Sequence, residues 1–371
     1  MKPKIVRYPI PGNDCGGTLH IHGDKNARKV ILYCGGFPDG LEPFTPLAQR
    51  LATSKGDDDD GCLVGITCWP GFDYESFNET KFRGFRREGY NFEEVTCCIR
   101  EAATRLFVEY NKTTEGDNIS NKDKHKKPQF TVIFHDWGVI PGLMFVNRSI
   151  EEKYFTQHKP DRIVLLDVLV EPHRKFNTPS QHQVSYSKRE LLVCVAYRSA
   201  LASSFAMLHF ISESMGLITL CILCNLVKVL GLSPIRRIDD QLIAGRKINL
   251  HHLVYMSYPY YYLFRAMINR RSLPLAHASL PLDLLETPVL YMYGPDKNVM
   301  FHDHQSVAIL EREEREGRSD CRVVKVEGAG HWVYCQRPDV CEQEIRKFMK
   351  SGNNVMGDVI EDENGNPKSK P

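Results

Sequence analysis

Short apolar runs rich in β-branched residues alternate with helical stretches along most of this chain, and that alternation narrows the fold more than any other feature. Lys4–Ile10, Thr18–His22, Lys29–Cys34, Cys62–Trp69, Phe130–His135, Arg162–Asp167, Val289–Tyr293 and Arg322–Glu327 read as eight strands. Phe92–Val108 has an amphipathic helical period ahead of the fifth strand, and Val139–Val146 reads as the helix that leaves it. Parallel strands need crossover connections, usually helical, so the last six strands imply a doubly wound α/β sheet. A chain of 371 residues is long enough for such a core with insertions.

The fifth strand runs into a turn that can carry chemistry. Val132-Ile133-Phe134 leads into His135-Asp136-Trp137-Gly138, and helix follows from Val139. A strand, a sharp turn and a helix lift a nucleophile above a sheet, with small residues relieving the strained backbone. Asp136 stands at the apex. No Gly-x-Ser-x-Gly occurs in the chain, so a nucleophile here is a carboxylate. Taken alone, Asp136 serves equally well as the N-cap of the helix that follows.

Two further segments bear on that choice. Gly35-Gly36-Phe37-Pro38 follows the third strand, and Gly328-Ala329-Gly330-His331-Trp332 follows the last. In order and spacing, the three segments together resemble the α/β-hydrolase superfamily, and within it the epoxide hydrolases and haloalkane dehalogenases. The resemblance covers residues 4–350 and departs at three points. Gly35 replaces the His of a His-Gly-x-Pro loop, Phe134 stands where a small residue is usual, and Lys297 stands where epoxide hydrolases usually carry an acid.

The resemblance implies an α/β-hydrolase fold: an eight-stranded, mostly parallel sheet with a helical lid inserted after the sixth strand. It divides the chain into a core over 1–170 and 281–350 and a lid over 171–280; composition rich in Gly, Asn, Asp, Glu and Lys makes 351–371 an expected disordered tail. It also implies roles. Asp136 attacks an sp³ carbon to leave an alkyl–enzyme ester, His331 activates water to hydrolyse it, and the backbone N–H groups of Phe37 and Trp137 steady the oxyanion.

The acid behind His331 has two candidates. Asp167 ends the sixth strand, where one dehalogenase subgroup carries its acid, and Asp296 follows the seventh, one residue short of the epoxide-hydrolase position. Asp167 is preferred. Opening an epoxide also needs a proton donor, which the family takes from lid tyrosines; Tyr186, Tyr197, Tyr261 and Tyr262 are the candidates. Any of them serves equally as an amphipathic packing residue. Phe37 resembles the epoxide-hydrolase form of its loop, where dehalogenases often carry Asn. The expected activity is therefore epoxide to diol, with no cofactor or metal. A haloalkane dehalogenase and a non-catalytic lipid- or protein-binding relative are the alternatives.

Composition narrows the partners. A net charge of +2 argues against nucleic acid; the resemblance implies a small hydrophobic substrate such as an epoxide as the partner. Twelve cysteines behind a start without an apolar signal core point to reduced thiols in a cytoplasmic setting. Cys221 and Cys224 have CxxC spacing but no second ligand pair, and read as buried core thiols. Met215–Leu232, broken by Asn225 and Lys228, falls short of the ~20 apolar residues of a membrane span. It is expected to be a buried or substrate-lining lid helix, with membrane contact as the alternative. Asp57–Asp60 and Asn111–Pro128 read as solvated loops.

Overall fold

The computed structural model describes residues 2–10, 13–23, 27–53, 61–73, 86–114, 127–151, 158–170, 187–234, 250–268, 278–281, 284–302 and 304–351. The acidic run Asp57–Asp60, the tail beyond Ser351 and Tyr186 lie outside them.

Eight strands form one sheet. In chain order they are β1 (Lys4–Ile10), β2 (Asn13–His22), β3 (Lys29–Cys34), β4 (Leu63–Thr67), β5 (Gln129–His135), β6 (Arg162–Leu166), β8 (Val289–Tyr293) and β10 (Arg322–Lys325). Their spatial order is β1-β2-β4-β3-β5-β6-β8-β10. The hairpin β1–β2 is antiparallel and β2 meets β4 antiparallel, while every pairing from β4 to β10 is parallel. All residues of β4 and β6 are buried, as central strands covered on both faces must be, and this is why they read as unbroken apolar runs.

Among the described residues, the α-helices outside 171–280 are α1 (Thr45–Ala52), α2 (Phe92–Thr114), α3 (Val139–Glu151), α8 (His304–Arg315), α9 (Val333–Gln336) and α10 (Pro338–Lys350). Both α2 and α3 run beyond the expected Phe92–Val108 and Val139–Val146. An Asn91–Glu94 capping box starts α2, each backbone N–H donating to the other side chain at 3.0 and 2.9 Å. α10 buries Cys341, Ile345, Phe348 and Met349 along one stripe. Its Arg346 donates to the Arg50 and Thr53 carbonyls at 2.6 and 2.8 Å, tying α10 to the C-terminal end of α1.

A two-residue parallel pairing of β7 (Val168–Leu169) with β9 (Phe301–His302) was not foreseen from the sequence. It ties the exit of β6 to the segment after β8. Between β7 and β8 the described residues form α4 (Lys188–Phe210), α5 (Glu213–Val229), α6 (Leu250–Met256) and α7 (Tyr258–Ile268). Among the described residues only α4 is long and apolar enough to cross a membrane; it buries Val193, Ala200, Leu201, Phe205 and Leu208 within the protein.

α5 corrects an expectation. A buried or substrate-lining helix was expected, yet only Gly216 and Leu220 are fully buried, while Ile218, Ile222, Leu226 and Val229 are exposed. Cys221 and Cys224 on this helix are half-buried rather than core thiols.

Candidate active site

β3, β5, β6, β8 and β10 are successive neighbours, and the segment after the C-terminal end of each brings one residue to a common point. These residues are Phe37, Asp136, Asp167, Lys297 and His331. Ligands of open α/β sheets bind at this edge.

Asp136 opens a single tight helical turn, Asp136–Gly138, with a φ of 49°, a left-handed conformation that costs a residue with a Cβ. Close packing of the β3 loop holds it there. A Cβ on Gly36 would come within 2.3 Å of the Trp137 nitrogen and 2.6 Å of Asp136 Oδ2. One on Gly138 would come within 2.5 Å of the Cys34 carbonyl oxygen. Only glycine permits this approach. It lets the Phe37 N–H donate to Asp136 Oδ2 at 2.8 Å, and the Trp137 N–H reaches the same carboxylate. Asp136 Oδ1 faces His331 Nε2 at 3.5 Å.

His331 Nδ1 lies 2.5 Å from Asp167 Oδ2. Asp167 is also left-handed, with a φ of 66°, which turns its side chain under the His331 ring. Its other oxygen, Oδ1, accepts from the Gly294 N–H at 3.3 Å and from the Lys297 ammonium. The Asp167 and Lys297 side chains are fully buried.

Below the turn lies a second acid. Asp39 accepts from Trp332 Nε1 and Tyr334 OH at 2.7 Å each, and lies 2.8 Å from His135 Nδ1. His135 Nε2 is 3.1 Å from the His331 carbonyl oxygen. The network joins the β3 loop, the Asp136 turn and the His331 loop beneath the reactive-looking atoms.

These contacts set the charges. Burial raises the Asp136 carboxyl above the usual carboxylate range, although His331 and His135 pull it back part of the way. Burial would also raise Asp167, but the Lys297 cation and the His331 hydrogen bond outweigh it and hold Asp167 low. Burial would lower His331; its hydrogen bond to Asp167 and the charges of Asp167 and Asp136 prevail, and its imidazole is raised above 6.5.

Two phenols, Tyr260 of α7 and Tyr197 of α4, come to the site near Asp136. The Tyr260 ring meets those of Phe37 and Trp137 edge-on, with centroids 5.0 and 4.9 Å away, and Tyr197 lies 6.0 Å from Tyr260. Burial pushes Tyr197 up to about 12 and Tyr260 well above its ordinary value, and the Asp136 charge adds to both. Arg198 Nε donates to the Tyr197 oxygen at 3.1 Å.

Solved structures share this architecture. One comes from a study of novel epoxide hydrolases of the α/β-hydrolase superfamily in metagenomes from hot environments; it is 13% identical, with a TM-score of 0.52 over 95% of this chain and 100% of its own. A haloalkane dehalogenase loop variant from Bradyrhizobium elkanii is 12% identical, with a TM-score of 0.54 over 94% and 96%. A putative epoxide hydrolase from Klebsiella pneumoniae is 13% identical, with a TM-score of 0.51 over 94% and 97%. The chain has the α/β-hydrolase fold. No protein-family model matches it and no curated protein does.

Within this α/β-hydrolase fold the expected residues fall into place unevenly. Asp167 reaches His331, whereas Asp296 donates its backbone N–H to the Ala329 carbonyl at 3.0 Å. Tyr197 comes to the site. Tyr261 packs among Phe205, His209 and Phe210, and Tyr262 donates to the Glu88 carbonyl at 2.9 Å, so neither is brought to Asp136.

Tyr260, Asp39, Tyr334 and Arg198 were not singled out as site residues. Tyr260 stood in the run Tyr258–Tyr262, but its sequence does not say which phenol faces inward. The departures gain reasons. Phe134 lies over Gly142, where a Cβ would come within 2.5 Å of its ring. At Gly35 a Cβ would meet Tyr33 OH at 2.8 Å and Asp39 Cβ at 3.1 Å, so no room is left for His.

Proposed function

We propose that this protein is a hydrolase that opens epoxides to diols through an ester on Asp136. The observation that carries the proposal is the division of the Asp136 carboxylate: Oδ2 is held by the Phe37 amide, while Oδ1 faces His331, with the Tyr197 and Tyr260 phenols at the site.

Oδ1 attacks a ring carbon in line and forms a C–O ester bond as the epoxide C–O bond breaks. The oxygen released takes a proton from Tyr197 or Tyr260. Both phenols are held protonated by burial, and the Arg198 N–H on the Tyr197 oxygen favours the anion left behind. Oδ2 is then the ester carbonyl oxygen, already in contact with the Phe37 amide, and the Trp137 amide reaches the same carboxylate. His331 Nε2 takes a proton from water, and the hydroxide so formed adds to the ester carbonyl carbon. Oxyanion donors of this kind are worth about 3–4 kcal/mol each, and a placed base about 10²–10⁴-fold. Collapse of the adduct releases the diol and restores Asp136. The His331 proton returns to the tyrosine, so the sum is epoxide plus water to diol. Asp167 supports the charged imidazole throughout.

Halide release fits the site less well. It needs N–H donors for the leaving ion, but Phe37 offers no side-chain donor and the Trp137 side chain hydrogen-bonds Tyr260. Incubation with aryl and fatty-acid epoxides tests the proposal. Diol from the wild type and none from Asp136→Asn supports it. No diol from the wild type, or equal diol from both, rejects it.

A further inference from the structure

Lys297 is a buried cation at the site that the proposed chemistry leaves unused. Its ammonium is buried with Asp167, contacts Asp167 Oδ1, and lies 3.4 Å from the Asp167 carbonyl oxygen. Oδ1 is the oxygen that His331 does not hold. A buried lysine is retained only where a counter-charge compensates its desolvation, and removing either partner leaves an uncompensated charge. The segment 294–302 brings the ammonium there: Gly294 also donates to Oδ1, and β9 pins the segment to β7, the strand that Asp167 leads into.

We propose that Lys297 is a positioning residue for His331. It locks Asp167 ionised, with Oδ2 turned to the imidazole, and its positive charge tempers the basicity that Asp167 confers. The proposal rests on the reading of His331 as the water-activating base. A carboxylate dedicated to one imidazole would hold the ring charged to higher pH. Shared with a fixed cation, it orients the ring and leaves more of it neutral, the form that can accept a proton.

The groups facing this pair leave Lys297 as its cation. Asp136 lies 3.5 Å from His331 Nε2 and favours the charged ring. The His135 ring centroid is 4.7 Å from that of His331, with its own nitrogens turned to Asp39 and the His331 carbonyl. His302 bonds Tyr291 OH at 2.9 Å; burial, then Lys297, lower it to about 4, so it is neutral at working pH. Tyr291 OH also donates to the Asp167 carbonyl at 3.4 Å.

The test is an NMR titration of the His331 ring in the full chain, with Lys297→Met and Lys297→Gln beside the wild type. His331→Gln assigns the resonance. In both lysine variants the midpoint should rise by about one pH unit or more, the size expected when a neighbouring like charge is removed. If the wild type forms diol, the acidic limb of kcat should move up with it, while KM changes little. An unmoved midpoint in folded variants overturns the proposal. So does failure of both single variants to fold while Lys297→Met/Asp167→Asn folds, because Lys297 would then be only a counter-ion. The midpoint needs no substrate, so it is read independently of whether the chain opens epoxides.

Discussion

The Asp39 carboxylate and the His135 ring lie 2.8 Å apart with no solvent contact, directly beneath the Asp136 turn. Trp332 and Tyr334 donate to the same carboxylate, so one acid ties three strand-end loops together. Asp39→Ala would leave these donors buried without their partner. The expected cost is about 3–5 kcal/mol, measured by chemical denaturation. Asp39→Asn keeps an acceptor and should cost less. A loss below about 1 kcal/mol for the alanine variant would place the network's support elsewhere.

Activity should depend on pH in a way set by the site. On the proposed route, ester hydrolysis needs neutral His331, whose imidazole is raised above 6.5, so kcat should climb through a midpoint above that value. Phenol donors must stay protonated, and Tyr197 is held up to about 12. The rate should therefore show no fall centred near 10, the ordinary phenol value. A decline centred there would remove Tyr197 as the donor.

Tyr197→Phe and Tyr260→Phe should each slow ester formation in single-turnover experiments, together by about 10²-fold or more. Tyr262→Phe should leave that rate unchanged, since its hydroxyl is committed to the Glu88 carbonyl. Equal effects from all three would mean that these tyrosines act only through packing.

Much of the fold was legible because buried parallel strands are continuous apolar runs, and three observed strands have the expected bounds: Lys4–Ile10, Lys29–Cys34 and Val289–Tyr293. Phe37, Asp136, Asp167 and His331 were legible because strand-end turns have local signatures. Which tyrosine faces Asp136 was not, because it depends on how α7 is rotated over the core. Lys297 appeared only as a departure; its contact with Asp167 spans 130 residues, and no local pattern encodes it. The exposure of α5 was misread for a related reason. Apolar composition shows that a helix seeks cover but not whether the rest of its own chain supplies it.

Phe134 and Gly142 give a stability test. Gly142→Ala places a methyl group within 2.5 Å of the Phe134 ring, an overpacking expected to cost about 1–3 kcal/mol on denaturation. Phe134→Ala in the same chain should recover part of that loss. Additive costs would show that the two side chains do not share the space.

Mass analysis of the His331→Gln variant after brief exposure to an epoxide tests the central claim most directly. With the base removed, the ester should outlive its formation, and the peptide carrying Asp136 should gain the mass of one epoxide. An unmodified Asp136 peptide, alongside diol formation by the wild type, would contradict the account.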